Sequence, residues 1–517
     1  MFLVYSDVIE NKDSKQVLHN DNLSDAENIA LNQTLNTYRQ NKFFEIVGEA
    51  LSKTTVCNEI KIVVVNNIEY NIKPVSDNST PNCPVTKIQE FTKEGNFIDV
   101  KLKNSDLSDF DLSDFSFSDV EKLQKLFLKI KGKYPAEHNL VFTYGHGSAF
   151  GIFKDIINIK NQEELDKIKN PDSALSENLT IKNLVSINEL VEKARTATAK
   201  ADNNEGLFLK ILGEKVMLFD QEIKPPNKEF KPFGALTNED FAHAIRTSFG
   251  VVNILVMDNC LMQNVYAQYA LKDAVEYFIA PQTGITLTSK DLIGFNLNHF
   301  INNYITLYKG NVNPAELARE IINGFNVVNA DTQTEEFNCF AVVSINLQRL
   351  YDTFFNDLKT YIKEFRRLLE IDPNFKFYMK DALRWCYGYE RETGTGNTLI
   401  DFLDLLKQLT KRLNLNNNSE VQYDPFNYRL FYEKVNEYKL DYSNFSCFTG
   451  KELLIATKNN AVLSGLAVYF PLRKELLNRF IQPFVENDDD YLSAFDGVTE
   501  WRCFVEDYLK TMEGKEQ

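Results

Sequence analysis

Asn253-Ile254-Leu255-Val256-Met257-Asp258-Asn259-Cys260 is a short apolar run that stops on an acid, an amide and a thiol. Four consecutive large apolar residues bounded by polar ones read as a strand buried on both faces, the usual state of a strand inside a parallel sheet. An earlier stretch has the same shape. Leu140-Val141-Phe142-Thr143-Tyr144-Gly145 runs into His146-Gly147. Open α/β sheets place their chemistry at the carboxyl ends of their strands. A thiol at one such end and an imidazole at another is the minimal arrangement for a cysteine nucleophile and its base.

The chain around these two stretches alternates strands and helices. Met1-Phe2-Leu3-Val4-Tyr5-Ser6-Asp7 reads as a first strand and Lys61-Ile62-Val63-Val64-Val65 as a second, with helical spacing over residues 25–52 between them. Residues 66–101 read as irregular, with Pro74, Pro81 and Pro84. A Ser-Asp-apolar repeat over residues 105–119 reads as a surface loop. Ser118 followed by Glu121 has the form of a capping box, and apolar positions from Val120 to Ile130 continue as a helix that Tyr134-Pro135 ends. Thr237 or Asn238 caps a helix ending near Arg246, a second helix spans Met262 to Leu271, and Glu276-Tyr277-Phe278-Ile279-Ala280 is a further strand. This rhythm predicts an α/β fold with a mostly parallel sheet sandwiched by helices over residues 1–330, interrupted by a polar, lysine-rich insertion around 152–235. Residues 331–517 predict a mainly helical C-terminal domain. Long amphipathic helices occupy Leu347–Ile371 and Leu399–Leu413, and a late strand near 466–470 is stopped by Pro471.

Composition removes several classes of function. A net charge of -16 leaves little basic surface for phosphate neutralisation, so no nucleic-acid partner is expected. No run approaches the ~18 apolar residues of a membrane span. The seven cysteines are scattered without a CxxC pair, which disfavours a zinc ribbon and fits reduced thiols. Asp residues in 106–119 lack the glycine of a calcium loop, and Gly394-Thr395-Gly396 lacks the rest of a phosphate-binding loop. The N-terminus has neither a basic segment nor a long apolar one. A cytoplasmic location is expected if Met1 is native, and a secreted or periplasmic one if a signal segment has been trimmed.

The order of motifs resembles the clostripain family of cysteine peptidases, which share the caspase-like fold. Tyr134-Pro135-Ala136-Glu137 followed by the His146-Gly147 strand resembles one family segment. Leu236–Arg246 followed by Ile254–Met262 resembles a second. Leu463–Pro471 with Trp501–Tyr508 resembles a third, and together they span nearly the whole chain in the family's order. The sequence departs from the family pattern at Gly145, Asn259, Tyr266 and Gln282, where an acid, an alanine and two further acids are usual.

On this reading the chain is a cysteine endopeptidase acting on protein or peptide substrates. Cys260 is the nucleophile, with its thiolate favoured by a helix starting directly after it. His146 moves the proton. The backbone N–H groups of Gly147 and Cys260 are candidates for an oxyanion hole. The resemblance implies that Asp258 lines the substrate pocket and favours Arg or Lys before the scissile bond. It further implies a zymogen cut within the insertion, with Lys200 and Arg195 as candidate positions, giving a monomer or a self-processed chain. No cofactor is read from the residues; calcium is implied by the resemblance alone. The rival reading is a non-catalytic interaction or signalling protein on the same fold.

Overall fold

Residues 252–259 form a strand whose side chains are buried on both faces: Ile254 and Val256 on one, Leu255, Met257 and Asn259 on the other. The computed structural model describes residues 2–6, 62–70, 84–91, 97–100, 119–153, 236–259, 261–282, 313–331, 342–351, 355–386, 388–392, 396–416, 439–442, 465–471, 477 and 493–513. The helix read at 25–52, the Ser-Asp repeat up to 118, residues 154–235 with Arg195 and Lys200, and Cys260 itself lie outside the described residues.

In chain order the strands are β1 (Phe2–Ser6), β2 (Ile62–Tyr70), β3 (Pro84–Phe91), β4 (Phe97–Asp99), β5 (Leu140–Ser148), β6 (Gly151–Phe153), β7 (Leu236–Thr237), β8 (Val252–Asn259), β9 (Val275–Pro281), β10 (Val342–Asn346), β11 (Gly388–Glu392), β12 (Gly396–Asp401), β13 (Lys439–Tyr442) and β14 (Ala467–Tyr469). The helices are α1 (Val120–Lys133), α2 (Asn238–Phe249), α3 (Val265–Leu271), α4 (Pro314–Asp331), α5 (Leu347–Leu350), α6 (Asn356–Ile371), α7 (Phe375–Trp385), α8 (Phe402–Asn416), α9 (Ala494–Thr499) and α10 (Trp501–Glu513).

The large sheet has the order β13-β10-β9-β8-β5-β1-β2-β3-β4. From β9 through β8, β5 and β1 to β2 every pairing is parallel, and the outer strands on both sides are antiparallel. The fold is therefore α/β with a mixed sheet whose centre is parallel. Among the described residues, no helix is long and apolar enough to cross a membrane.

Helices α1 and α2 pack side by side through Phe127 and Phe249, whose rings lie 5.4 Å apart. The Ser248 hydroxyl donates to the Gln124 carbonyl at 3.1 Å, and the Lys131 ammonium donates to the Phe249 carbonyl at 3.2 Å. Phe241, Ile245 and Phe249 of α2 are buried, worth about 1.5–3 kcal/mol each relative to exposure. Both α2 and α4 pack against β8.

Several local expectations shift. The cap of α1 is Asp119, not Ser118: its carboxylate accepts from the Lys122 N–H at 3.0 Å. Residues 66–101 contain the rest of β2 and all of β3 and β4, with Pro84 tolerated at the first position of a strand. The helix expected over Leu347–Ile371 is described as α5 and α6, with Tyr351 and Phe355 between them also in helical backbone conformation, and Leu399–Asp401 belongs to β12 rather than to a helix.

Beyond residue 331 the chain is rich in helices and also supplies strands to two sheets. β10 and β13 extend the large sheet next to β9. β11, β12 and β14 make a small antiparallel sheet. Phe365, Phe402, Phe470, Trp501, Phe504 and Tyr508 form its aromatic core, and the Trp501 indole N–H donates to the Tyr469 carbonyl at 2.9 Å.

Candidate active site

β5 and β8 are adjacent and parallel, and their register runs from Leu140↔Ile254 to Tyr144↔Asp258 and Gly145↔Asn259. His146 is the next residue of β5 after the last pair. Cys260 is the next residue in the chain after β8, and lies outside the described residues. The paired stretch of the two strands thus ends at Gly145 and Asn259. A buried bond ties them together: the Thr143 hydroxyl donates to the Asn259 side-chain oxygen at 2.6 Å. Both residues are about fully buried, and period two puts them on one face, because Thr143 is level with Met257 and Asn259 is two residues on.

β5 does not stop at the imidazole. It turns back through Ala149 and Phe150 into β6, pairing His146↔Phe153, Gly147↔Ile152 and Ser148↔Gly151. Asn238, the first residue of α2, grips this hairpin twice. Its backbone N–H donates to the Phe150 carbonyl at 3.0 Å and its side-chain amide donates to the Ala149 carbonyl at 3.0 Å. Thr237 takes the capping role instead, its hydroxyl accepting from the Asp240 N–H at 3.1 Å.

The chain leaves β8 through a sharp turn. Leu261 has a φ of 62°, the left-handed region that non-glycine residues avoid at a cost of roughly 1–2 kcal/mol. The Gln263 N–H donates to the Pro281 carbonyl at the end of β9 at 2.8 Å. Asn264 follows, fully buried. Its side-chain amide donates to the Leu261 carbonyl at 2.7 Å and its oxygen accepts from the Tyr266 and Ala267 N–H groups at 3.0 and 2.9 Å. The helix expected to begin directly after Cys260 therefore begins at Val265. It is seven residues long, and the Asn264 oxygen accepts from two of its first free N–H groups.

Distant sequence closes the turn. Asn264 forms a parallel bridge with Ala467, and the Gln268 side-chain amide donates to the Gly465 carbonyl. Tyr266, where the resemblance led to an acid, is a core aromatic. Its ring lies 4.5 Å from Phe150 and 5.0 Å from Phe495, and burial pushes its hydroxyl pKa well above the ordinary value. Gln282 is also buried. Asp496 of α9 comes close to the same cluster, and burial pushes its carboxyl up to about 6.

Of the residues singled out from sequence, His146, Gly147 and Asp258 are placed at the ends of β5 and β8. Asn238 and Asn264 were not singled out for the site. Asn238 had been weighed only as a cap. The position of Asn264 before Val265-Tyr266-Ala267 was itself a capping signal, hidden by starting the helix three residues early. Among the described residues, no group of three or more His, Cys, Asp or Glu side chains comes together to hold a metal ion.

No family model and no curated protein matches the chain. Solved structures do resemble it. A secreted C11 cysteine protease from Bacteroides thetaiotaomicron, in complex with an irreversible peptide inhibitor, is 12% identical, with 97% of this chain and 99% of that chain covered and a TM-score of 0.46. An inactive zymogen C11 protease from Parabacteroides distasonis is 11% identical over 96% of this chain and 97% of that one, with a TM-score of 0.46. A clostripain from Bacteroides thetaiotaomicron ATCC 29148, in complex with a peptide inhibitor, is 14% identical over 51% of this chain and 93% of that one, with a TM-score of 0.33. The chain is thus similar to solved clostripain-family proteases, while the fold assignment rests on the strand order and register above.

Proposed function

We propose that the chain is a cysteine endopeptidase in which Cys260 is the nucleophile and His146 the proton-transfer partner. One observation carries the reading: the β5–β8 register ends at Gly145↔Asn259, so the imidazole residue and the thiol residue each follow the last pair of two bonded, parallel strands. A peptide bond stays within one ~3.8 Å Cα step, so connectivity alone keeps Cys260 beside the end of β8. In the proposed reaction His146 takes the thiol proton and the thiolate attacks the scissile carbonyl carbon. The protonated imidazole then gives its proton to the leaving amine, and water hydrolyses the thioester.

The hairpin supports the oxyanion role of Gly147. Ser148↔Gly151 closes a two-residue loop, and antiparallel pairs alternate between bonded and non-bonded positions. Gly147 occupies the position after the closing pair, where an N–H points away from the partner strand and is available to an oxyanion together with that of Cys260. Asp258 stands level with Tyr144, and period two puts strand positions 258 and 146 on the same side of the sheet. That placement fits a carboxylate pairing with an Arg or Lys before the scissile bond. Production as a zymogen cut at Lys200 or Arg195 completes the reading.

The deciding experiment compares wild type with Cys260→Ala and His146→Ala on a peptide library. Expected is loss of hydrolysis in both variants, and wild-type cleavage concentrated after Arg and Lys. Hydrolysis by Cys260→Ala at the wild-type rate sinks the assignment; a profile without basic residues sinks the role of Asp258 alone.

A further inference from the structure

We propose that Asn264 is a positioning residue for the nucleophile: a buried clamp that holds the left-handed turn immediately following Cys260. The inference rests on the reading of Cys260 as the attacking group.

Three observations meet at this side chain. First, the turn it serves is strained, since Leu261 carries a φ of 62° without being glycine. Such outliers persist only where their surroundings over-determine them. Second, Asn264 supplies that determination with every hydrogen-bonding direction it uses. Its amide nitrogen donates to the Leu261 carbonyl at 2.7 Å, while its oxygen accepts from two N–H groups of α3. Donor and acceptor ends are thus assigned by their partners, carbonyl on one side and amides on the other. Third, the clamp is itself anchored: Asn264 is fully buried and bridges Ala467 on the far side. Pinning the Leu261 carbonyl sets the plane of the peptide that follows Leu261. Cys260 is the one residue of sequence between the paired strand end at Asn259 and that fixed turn.

The clamp can be separated from the cap by one conservative change. Asn264→Asp keeps an oxygen for the Tyr266 and Ala267 N–H groups, because Asp caps helices as well as Asn. It replaces the donor with an acceptor facing the Leu261 carbonyl at 2.7 Å. At neutral pH two oxygens confront each other and the turn must shift. When the carboxyl is protonated its O–H donates to the same carbonyl, and the turn is restored.

The experiment measures kcat, KM and Tm of wild type, Asn264→Asp and Cys260→Ala across pH with a substrate identified from the library. Expected for Asn264→Asp is a kcat loss of about 10²-fold at neutral pH, the order that a displacement of about 1 Å produces, with KM near wild type and a lowered Tm that recovers together with kcat as pH falls, because the buried carboxylate is desolvated only while ionised. The ratio of variant to wild-type kcat should recover as pH falls. A charge acting only on the thiol gives the opposite trend, because it raises the thiol pKa and its effect fades as pH rises. A ratio that is flat or improves with rising pH overturns the clamp, as does a kcat within about threefold of wild type. A kcat loss matched by a loss of Tm, with no recovery in acid, also overturns it. Hydrolysis by Cys260→Ala overturns the underlying reading instead, whatever Asn264→Asp does.

Discussion

Replacing Asp496 by Asn should make the protein more stable at neutral pH and leave it almost unchanged in mild acid. Asp496 lies in the first turn of α9, where its N–H donates to the Ser493 hydroxyl at 3.1 Å and that hydroxyl donates to its carboxylate at 2.8 Å. Its other oxygen is buried without a hydrogen bond. Burial is the dominant influence and pushes the carboxyl from about 3.8 up to about 6; the Ser493 bond and Arg502 of α10 oppose it, and Glu239 of α2 adds to it. The folded chain therefore holds this proton more tightly than the unfolded chain. Between the two values the folded state binds more protons, so stability falls as pH rises through the window from about 4 to about 6. Two units at 1.36 kcal/mol each give about 3 kcal/mol, lost in full above that window. Asn cannot ionise and keeps an oxygen for Ser493. Asp496→Asn should then exceed wild type at pH 7 by up to about 3 kcal/mol, a figure that already contains the pull of Arg502, and the gap should close by about pH 4. Thermal unfolding followed by calorimetry at half-unit steps of pH reads this directly. A Tm difference that is independent of pH, or one that grows in acid, would refute the argument that burial controls this carboxyl.

Two further changes probe the frame around the site. Thr143→Val preserves shape but removes the 2.6 Å donor to Asn259, and should cost about 1–3 kcal/mol in equilibrium denaturation. An unchanged midpoint would mean the bond between the two strand ends contributes nothing. Gly250 closes α2 with a φ of 77° and has open space around it, so Gly250→Ala should lose roughly 1–2 kcal/mol through backbone conformation alone, measured as a lower denaturation midpoint. A wild-type midpoint there would show that the turn relaxes at no cost.

What was legible in the sequence follows from how each element is stabilised. β1, β5, β8 and β9 belong to the parallel centre of the sheet, where helices cover both faces, and their continuous apolar runs reveal them. α2 was legible because Thr237 is a local capping signal and the apolar face repeats at helical spacing. β3, β4, β10 and β13 were missed. They are short or flank the parallel core with polar residues, and their existence depends on a partner strand rather than on their own composition. The N-cap of α1 slipped by one residue because Ser118 and Asp119 are both competent caps and only the geometry selects Asp119. Around the candidate site, the strand ends could be located because the apolar runs of β5 and β8 stop at them. The residues that hold those ends could not. Asn238 reaches a hairpin loop 89 residues away, and nothing in its neighbourhood announces that partner.

Tyr266 shows why a departure from a family pattern need not weaken a site. As a replacement for an acid it looks like a lost contact with substrate. In the fold it lies under the hairpin, where its ring meets Phe150, while Tyr469 packs on the other edge of Phe150 at 6.2 Å. Tyr469 is held in turn by the Trp501 indole through its carbonyl, and Gly465, four residues earlier, receives the Gln268 amide from α3 across 197 residues of sequence. The hairpin with His146, the turn after Cys260 and the late strand are therefore one packed unit. Contacts of such separation offset the entropy of closing a very long loop only once several form together. Burying a phenol in that unit supplies apolar area where a carboxylate would be desolvated, so the substitution belongs with Phe150 and Phe495 as packing, and the ends of β5 and β8 stand on a support drawn from the far end of the chain.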